Sequence, residues 1–80
     1  MLGRTVLVVV FGHFRTRAAA EAFQPKVESY GFKRVKIYND GACNPDWEVL
    51  VPGVNSRAQA EDLANEARHA GFPYAAVEYA

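Results

Sequence analysis

The residues of this chain that are best suited to chemistry are two histidines and one cysteine, and they lie far apart. His13, Cys43 and His69 do not have the close spacing of zinc ligands. Cys43 has no neighbouring histidine to activate it as a nucleophile, and a lone cysteine forms no internal disulfide. No glycine-rich phosphate loop is present. The sequence therefore predicts no catalytic residues, no metal and no cofactor, and we expect a protein that is not an enzyme.

Three single side chains each have a functional and a structural explanation. His13 follows Gly12 in what the pattern predicts to be a strand–helix loop, where its imidazole is able to donate to an anion or a sugar hydroxyl. A solvated loop histidine is the simpler explanation. Trp47 is able to stack on a sugar ring, but its position in the strand pattern favours the rim of the core. His69 is explained by a helix C-terminus, where a cation is favourable.

Composition limits the class of protein. The chain has 80 residues, of which 50% are hydrophobic and 22% charged, which is typical of one small packed domain. Nine basic residues balance nine acidic ones, so the positive surface of a general nucleic-acid binder is not expected. The longest apolar run, near Leu7, is too short for a membrane span, which needs about 20 residues.

The second half of the chain repeats the first at an offset of 40 residues. The stretch 16–23 reads TRAAAEAF and 56–63 reads SRAQAEDL, while Gly31-Phe32 returns as Gly71-Phe72. Two copies at one spacing indicate a single supersecondary unit used twice. We therefore predict one domain over 1–80, built from half-repeats at about 5–40 and 45–80.

Each half reads as strand, helix, strand. β-Branched and alternating residues predict strands over 5–11, 33–38, 47–51 and 74–79. Thr16 and Ser56 are predicted to cap two helices, which end at Gly31 and Gly71 with positive φ. Pro25 lies inside the first helix and predicts a kink or break near Ala22.

This element order predicts an α+β fold. Two right-handed strand–helix–strand units interleave into a four-stranded antiparallel sheet of order 4-1-3-2, with both helices on one face. The result is a βαββαβ, ferredoxin-like two-layer sandwich with internal pseudo-duplication. Strands one and three are predicted to be central.

Residue parity separates the two sheet faces. An unpaired carboxylate is costly to bury, so Glu48 is expected to point away from the helices, and Trp47, Val49 and Val51 toward them. By the repeat, Leu7, Val9 and Phe11 also face the helices. The opposite side, here called the open face, is expected to expose an apolar centre (Val6, Val8, Val10, Leu50) within a polar border (Arg34, Lys36, Tyr38, Glu48, Tyr74, Glu78). Leu50→Arg is accordingly expected to spare the fold.

Two stretches resemble the half-repeat of the sporulation-related repeat, or SPOR, domain family. Residues 9–14 read VVFGHF, followed by an alanine-rich helix that closes on Gly31-Phe32. Residues 47–61 read WEVLVPGVNSRAQAE and lead to Gly71-Phe72. The similarity covers nearly the whole chain. Val10 stands where family members often carry glutamine.

The resemblance implies a non-catalytic module of the bacterial cell envelope. It implies binding of peptidoglycan glycan strands that lack stem peptides, usually at division septa, along the open face. The residues expected to contact the ligand lie on that face and in the adjoining loop (Val8, Val10, His13, Lys36, Tyr38, Glu48, Leu50, Tyr74).

The residues also allow two other functions. The apolar centre of the open face suits a homodimer or another protein partner, without glycan binding and with a cytoplasmic location. RNA binding shares the element order but needs aromatic residues on the central strands, where this chain has Val8, Val10, Glu48 and Leu50. We therefore expect no nucleic-acid partner.

Overall fold

A computed structural model describes residues 7–39, 41 and 45–79 of the protein. Across these residues the elements are β1 (Leu7–Phe14), α1 (Arg17–Ser29), β2 (Lys36–Asn39), β3 (Trp47–Val51), α2 (Arg57–Ala70) and β4 (Ala76–Tyr79). The predicted α+β class and the alternation of strand, helix and strand are confirmed.

The four strands of the described residues form one open antiparallel sheet in the order β2-β3-β1-β4. This is the predicted order 4-1-3-2 read from the other edge. The most apolar strands, β1 and β3, pair with each other at the centre, where both of their backbone edges are hydrogen-bonded. The predicted pairing of strands one and three is confirmed.

The main core lies between one sheet face and both helices. Val9, Phe11, Val49 and Val51 are buried there, as the parity argument predicted. The buried positions of the two helices are mostly alanine, whose small side chain allows a helix to lie close to a sheet (Ala20, Ala60, Ala64, Ala67). Aromatic rings fill the space at the helix ends, with Phe72 in edge-on contact with several neighbours (Phe11, Phe23, Tyr30, Phe32).

Capping residues set the helix boundaries. The Thr16 hydroxyl oxygen accepts from the backbone N–H of Ala19 at 3.1 Å, and that of Ser56 from Gln59 at 3.2 Å. Gly31 and Gly71 follow the two helices with φ of 99° and 113°. The predicted caps and the predicted positive φ values are confirmed.

A kink or a break was expected near Ala22, and the break does not occur, because helix α1 continues through Pro25. Proline removes the N–H that would donate to the carbonyl of Glu21. Both Pro25 and Glu21 are exposed, and water is able to hydrogen-bond the freed carbonyl. The helix therefore tolerates the proline on its solvent side.

Both edge strands are shorter than predicted, and the difference removes two residues from the open face. Arg34 has a φ of 62°, which is incompatible with a strand, so β2 begins at Lys36. In the second half, the N–H of Ala75 donates to the carbonyl of Phe72 at 3.1 Å and closes a turn that contains Pro73 and Tyr74. Arg34 and Tyr74 therefore do not extend the strand alternation as predicted. Tyr74 is an exposed turn residue.

Neither helix of the described residues combines the length and the apolar run that crossing a bilayer requires.

Candidate functional site

A β-bulge in β1 determines which side chains reach the open face. Val10 pairs with Leu50 and Gly12 with Val49, so Phe11 is an extra residue in β1 relative to β3. Beyond this point the alternation of side chains is shifted by one residue. His13 consequently pairs with Glu48, and both lie on the open face. The prediction of a loop position for His13 was wrong, because β1 continues to Phe14.

The glycine at the bulge suits its crowded surroundings. A Cβ atom at Gly12 would lie 3.2 Å from the Phe14 ring and 3.4 Å from the Phe23 ring. These two rings contact each other with centroids 5.0 Å apart on the helix side of the sheet. A side chain at Gly12 would have to displace them. The bulge therefore combines aromatic packing on the helix side with the exposure of His13 on the other.

Four ionisable side chains meet around His13 and are here called the His13 cluster (His13, Asp46, Glu48, Glu78). The Nδ1–H of His13 donates to Oδ1 of Asp46 at 2.9 Å. Nδ1 also lies 3.8 Å from Oε2 of Glu48, and Nε2 lies 3.5 Å from Oε2 of Glu78. One residue comes from each of β1, β3 and β4, and Asp46 immediately precedes β3. The sheet thus brings together residues from three strands.

The cluster changes the acid–base behaviour of the imidazole. Partial burial disfavours its charged form, but the hydrogen bond to Asp46 and the charges of Asp46, Glu48 and Glu78 outweigh that effect. The pKa of His13 is consequently raised above its usual 6.5. A protonated His13 lies within ion-pair distance of Asp46, Glu48 and Glu78.

Glu48 points away from the main core, as predicted, but it is not exposed. Its side chain retains only 7% of its accessible surface. Every buried side-chain nitrogen and oxygen within the described ranges has a hydrogen-bond partner, so this burial is compensated. Glu48 therefore lies on the predicted face of the sheet, although its carboxylate is buried and not exposed as expected.

The apolar centre of the open face is also buried. Val8, Val10 and Leu50 form a second hydrophobic cluster, separate from the main core, and each is at most 4% exposed. Their separation from the main core agrees with the predicted orientation. The predicted exposure was wrong, and these three residues lie beneath the surface of the open face. Val6 falls outside the described residues.

The exposed part of the open face lies along the edge strand β2. Lys36 pairs with Leu50, and Tyr38 pairs with Glu48. Both side chains are exposed, and Tyr38 keeps 52% of its accessible surface. Trp47, by contrast, packs against the main core, with the Arg17 guanidinium 5.8 Å from its ring centroid. Tyr38 is thus better placed than Trp47 to stack on a ligand.

A shallow depression also runs along α2, on the side of the sheet opposite the His13 cluster. Its lining residues all belong to this one helix (Gln59, Asp62, Leu63, Asn65, Glu66, His69). It is a feature of the helix surface, and no second element of the part of the chain that the structure describes lines it.

Sequence reasoning placed His13 and Glu48 among the candidate residues but left Asp46 and Glu78 out. The four positions are scattered over the chain, and no short motif links them. Glu78 had one signal, because the strand alternation placed it on the open face. For Asp46 the only indication in the sequence was its position immediately before β3.

Comparison of the chain with protein-family models, with curated proteins and with solved structures found no match.

Proposed function

We propose that this protein is a non-catalytic glycan-binding module that binds peptidoglycan glycan strands along the open face. The observation that carries the proposal is the position of Tyr38. Its half-exposed ring pairs across the strands with Glu48, beside the His13 cluster and on the face without helices. An aromatic ring next to hydrogen-bonding groups suits a sugar, which has an apolar ring face and a border of hydroxyls.

The polar groups have complementary roles in this proposal. Carboxylates accept hydrogen bonds from sugar hydroxyls, and an imidazole or ammonium group donates to sugar oxygens. Glu78 and His13 are partly exposed beside the buried Glu48, and Lys36 stands two residues before Tyr38 on β2. The burial of Val8, Val10 and Leu50 makes them the floor beneath the contact surface.

The homodimer alternative was based on an exposed apolar centre of the open face, and this centre is buried. An apolar interface needs apolar area that is exposed in the separate subunits. Val8, Val10 and Leu50 are at most 4% exposed within a single chain. We therefore propose glycan binding, and not dimerisation, for this face.

We also propose that the domain is SPOR-like and ferredoxin-like and that it arose by duplication of one strand–helix–strand unit. Its support is the equivalence of the two helix boundaries. Thr16 and Ser56 cap the helices 40 positions apart, and Gly31 and Gly71 follow them with positive φ. A solved structure in which residues 5–40 superpose poorly on 45–80 would contradict this part.

Co-sedimentation with peptidoglycan tests the function. Sacculi treated with an amidase to remove stem peptides are compared with untreated sacculi. We expect the protein to sediment preferentially with the stripped glycan, and Tyr38→Ala to abolish the interaction while leaving the melting temperature within a few degrees.

The matched control is Tyr79→Ala. Tyr79 is similarly exposed, at 58%, but it contacts Arg57 at the beginning of α2 and so lies on the helix side. Binding that is absent in the unchanged protein, or lost equally in both variants, would contradict the proposal.

A further inference from the structure

The His13 cluster has the composition of a metal site. One ring nitrogen of His13 and one carboxylate oxygen each of Glu48 and Glu78 lie within 4.8 Å of one another. The three residues come from three neighbouring strands of the sheet, which hold their backbones in place. Glu48 is buried, whereas His13 and Glu78 are partly open to solvent. An ion held among them would have protein on one side and water on the other.

Asp46 orients the imidazole for this role. Because the carboxylate accepts from Nδ1–H at 2.9 Å, the neutral imidazole carries its lone pair on Nε2. Histidine ligands in metalloproteins are commonly held in this way, by a carboxylate on the ring nitrogen that does not bind the metal. Nε2 is the nitrogen nearest to Glu78.

The distance between Nε2 and the Glu78 oxygen also fits an ion. At 3.5 Å it exceeds the usual length of an N–H···O hydrogen bond, about 3.2 Å at most. Two ligands bound tetrahedrally at about 2.1 Å from one Zn²⁺ are about 3.4 Å apart. The ligand atoms of the cluster lie within 4.8 Å of one another, so a glutamate side-chain movement of at most about 1.4 Å would bring any pair to this tetrahedral spacing.

The charges around His13 also favour a bound cation. Among the described residues, Asp46 and Glu78 form ion pairs with His13 and with no lysine or arginine. The two carboxylates thus share one imidazole, and an oxygen of the buried Glu48 lies 3.8 Å from Nδ1 of the same ring. A divalent cation supplies positive charge where these carboxylates converge.

We propose that His13 Nε2, Glu48 and Glu78 bind one divalent transition-metal ion, with Asp46 as the positioning residue. The ligand set of one imidazole and two carboxylates suits Zn²⁺, whereas Ca²⁺ and Mg²⁺ prefer six or more oxygen ligands. Water fills the remaining coordination position on the solvent side. This metal site does not depend on the proposed glycan binding.

Calorimetric titration of the EDTA-treated, dialysed protein with ZnCl₂ tests the site. We expect one ion per chain, and an increase in melting temperature of about 5 °C or more when zinc is in 100-fold excess over its Kd. Titration with CaCl₂ under the same conditions should produce no comparable shift. Substitution with Co²⁺ should give the visible absorption of a site with nitrogen and oxygen ligands.

The two histidines offer a matched pair of variants. His13→Gln should lose zinc binding, whereas His69→Gln, on the outer surface of α2, should keep it. Glu78→Gln lies at the solvent side of the cluster and provides a second ligand variant if His13→Gln is unstable. Asp46→Asn should weaken zinc binding about 10- to 100-fold, because it acts through His13.

Three results would overturn the proposal. The unchanged protein could fail to bind zinc at micromolar concentrations. His13→Gln and Glu78→Gln could bind zinc as tightly as His69→Gln. Binding could also be lost in Cys43→Ser and retained in the ligand variants, which would assign the zinc to the only thiol in the chain.

Discussion

His13 and Asp46 are joined by a 2.9 Å hydrogen bond that links the end of β1 to the residue before β3. This contact depends on the bulge at Phe11. Without the extra residue, strict alternation would turn His13 toward the helices, since Phe11 already faces them. The shift of one position brings the imidazole beside Glu48 on the open face. The glycan-binding and metal proposals both depend on this backbone irregularity.

The raised pKa of His13 predicts a pH-dependent contribution to stability. A pKa raised above 6.5 in the folded state means that the protonated imidazole stabilises the fold. The contribution is fully present below the unfolded-state pKa and is lost as pH rises through the folded-state pKa. In EDTA-containing buffer, we expect the stability of the unchanged protein relative to His13→Gln to fall as the pH rises above about 6.5. Urea unfolding measures the difference.

Asp46→Asn is the control for this pH dependence. The asparagine side chain is similar in shape but removes the hydrogen-bonded carboxylate that contributes to raising the pKa of His13. The dependence on pH should therefore be weaker in this variant. A stability difference that stayed constant or grew with rising pH would show that the carboxylates do not raise the pKa of the imidazole.

The burial of Leu50 reverses the expected effect of Leu50→Arg. The side chain is only 4% exposed and packs with Val8 and Val10. We expect Leu50→Ala to lower the free energy of unfolding by about 2 kcal/mol or more, and Leu50→Arg to lower it further, since it places a guanidinium in an apolar site. Lys36→Ala, at the exposed cross-strand partner of Leu50, should change stability by no more than about 0.5 kcal/mol. Unchanged urea unfolding of Leu50→Arg would refute the burial of this cluster.

Gly71 is expected to resist substitution because of its backbone conformation. Its φ is 113°, and a Cβ atom there would meet nothing within 4 Å, so strain and not crowding determines the cost. Gly71→Ala should lower the free energy of unfolding by about 1 kcal/mol. Gly71→Asn should cost less, because asparagine enters the left-handed region more readily. Equal melting temperatures for all three proteins would contradict a left-handed helix end at this residue.

Pro25 offers a route to a more stable protein. Alanine at this exposed position of α1 would restore the missing N–H and its bond to the carbonyl of Glu21. We expect Pro25→Ala to raise the free energy of unfolding by about 1 to 3 kcal/mol. Lys26→Ala, next along the same helix, should change it by about 0.5 kcal/mol at most. A less stable Pro25→Ala would mean that the proline ring makes packing contacts worth more than the restored hydrogen bond.

The sequence alone determined the features that arise from local or repeated signals. Hydroxyl caps at Thr16 and Ser56, and glycines at positions 31 and 71, act within a few residues and could be read directly. Alternation along β3 separated Val49 and Val51 from Glu48, because side-chain direction in a regular strand has a period of two. The strand order followed from two right-handed connections of the same kind.

Only the tertiary structure decided where the regular strand alternation is interrupted and which side chains are buried. The bulge at Phe11 arises from the pairing of β1 with β3, and nothing local to Gly12 and His13 distinguishes it from a strand end. The members of the His13 cluster lie up to 65 positions apart, so only the sheet brings them together. The burial of Val8, Val10 and Leu50 depends on what covers a sheet face, whereas parity determines only which face each side chain takes. A periodic sequence pattern shows which way side chains point along one strand, but it does not show which residues of distant strands come into contact.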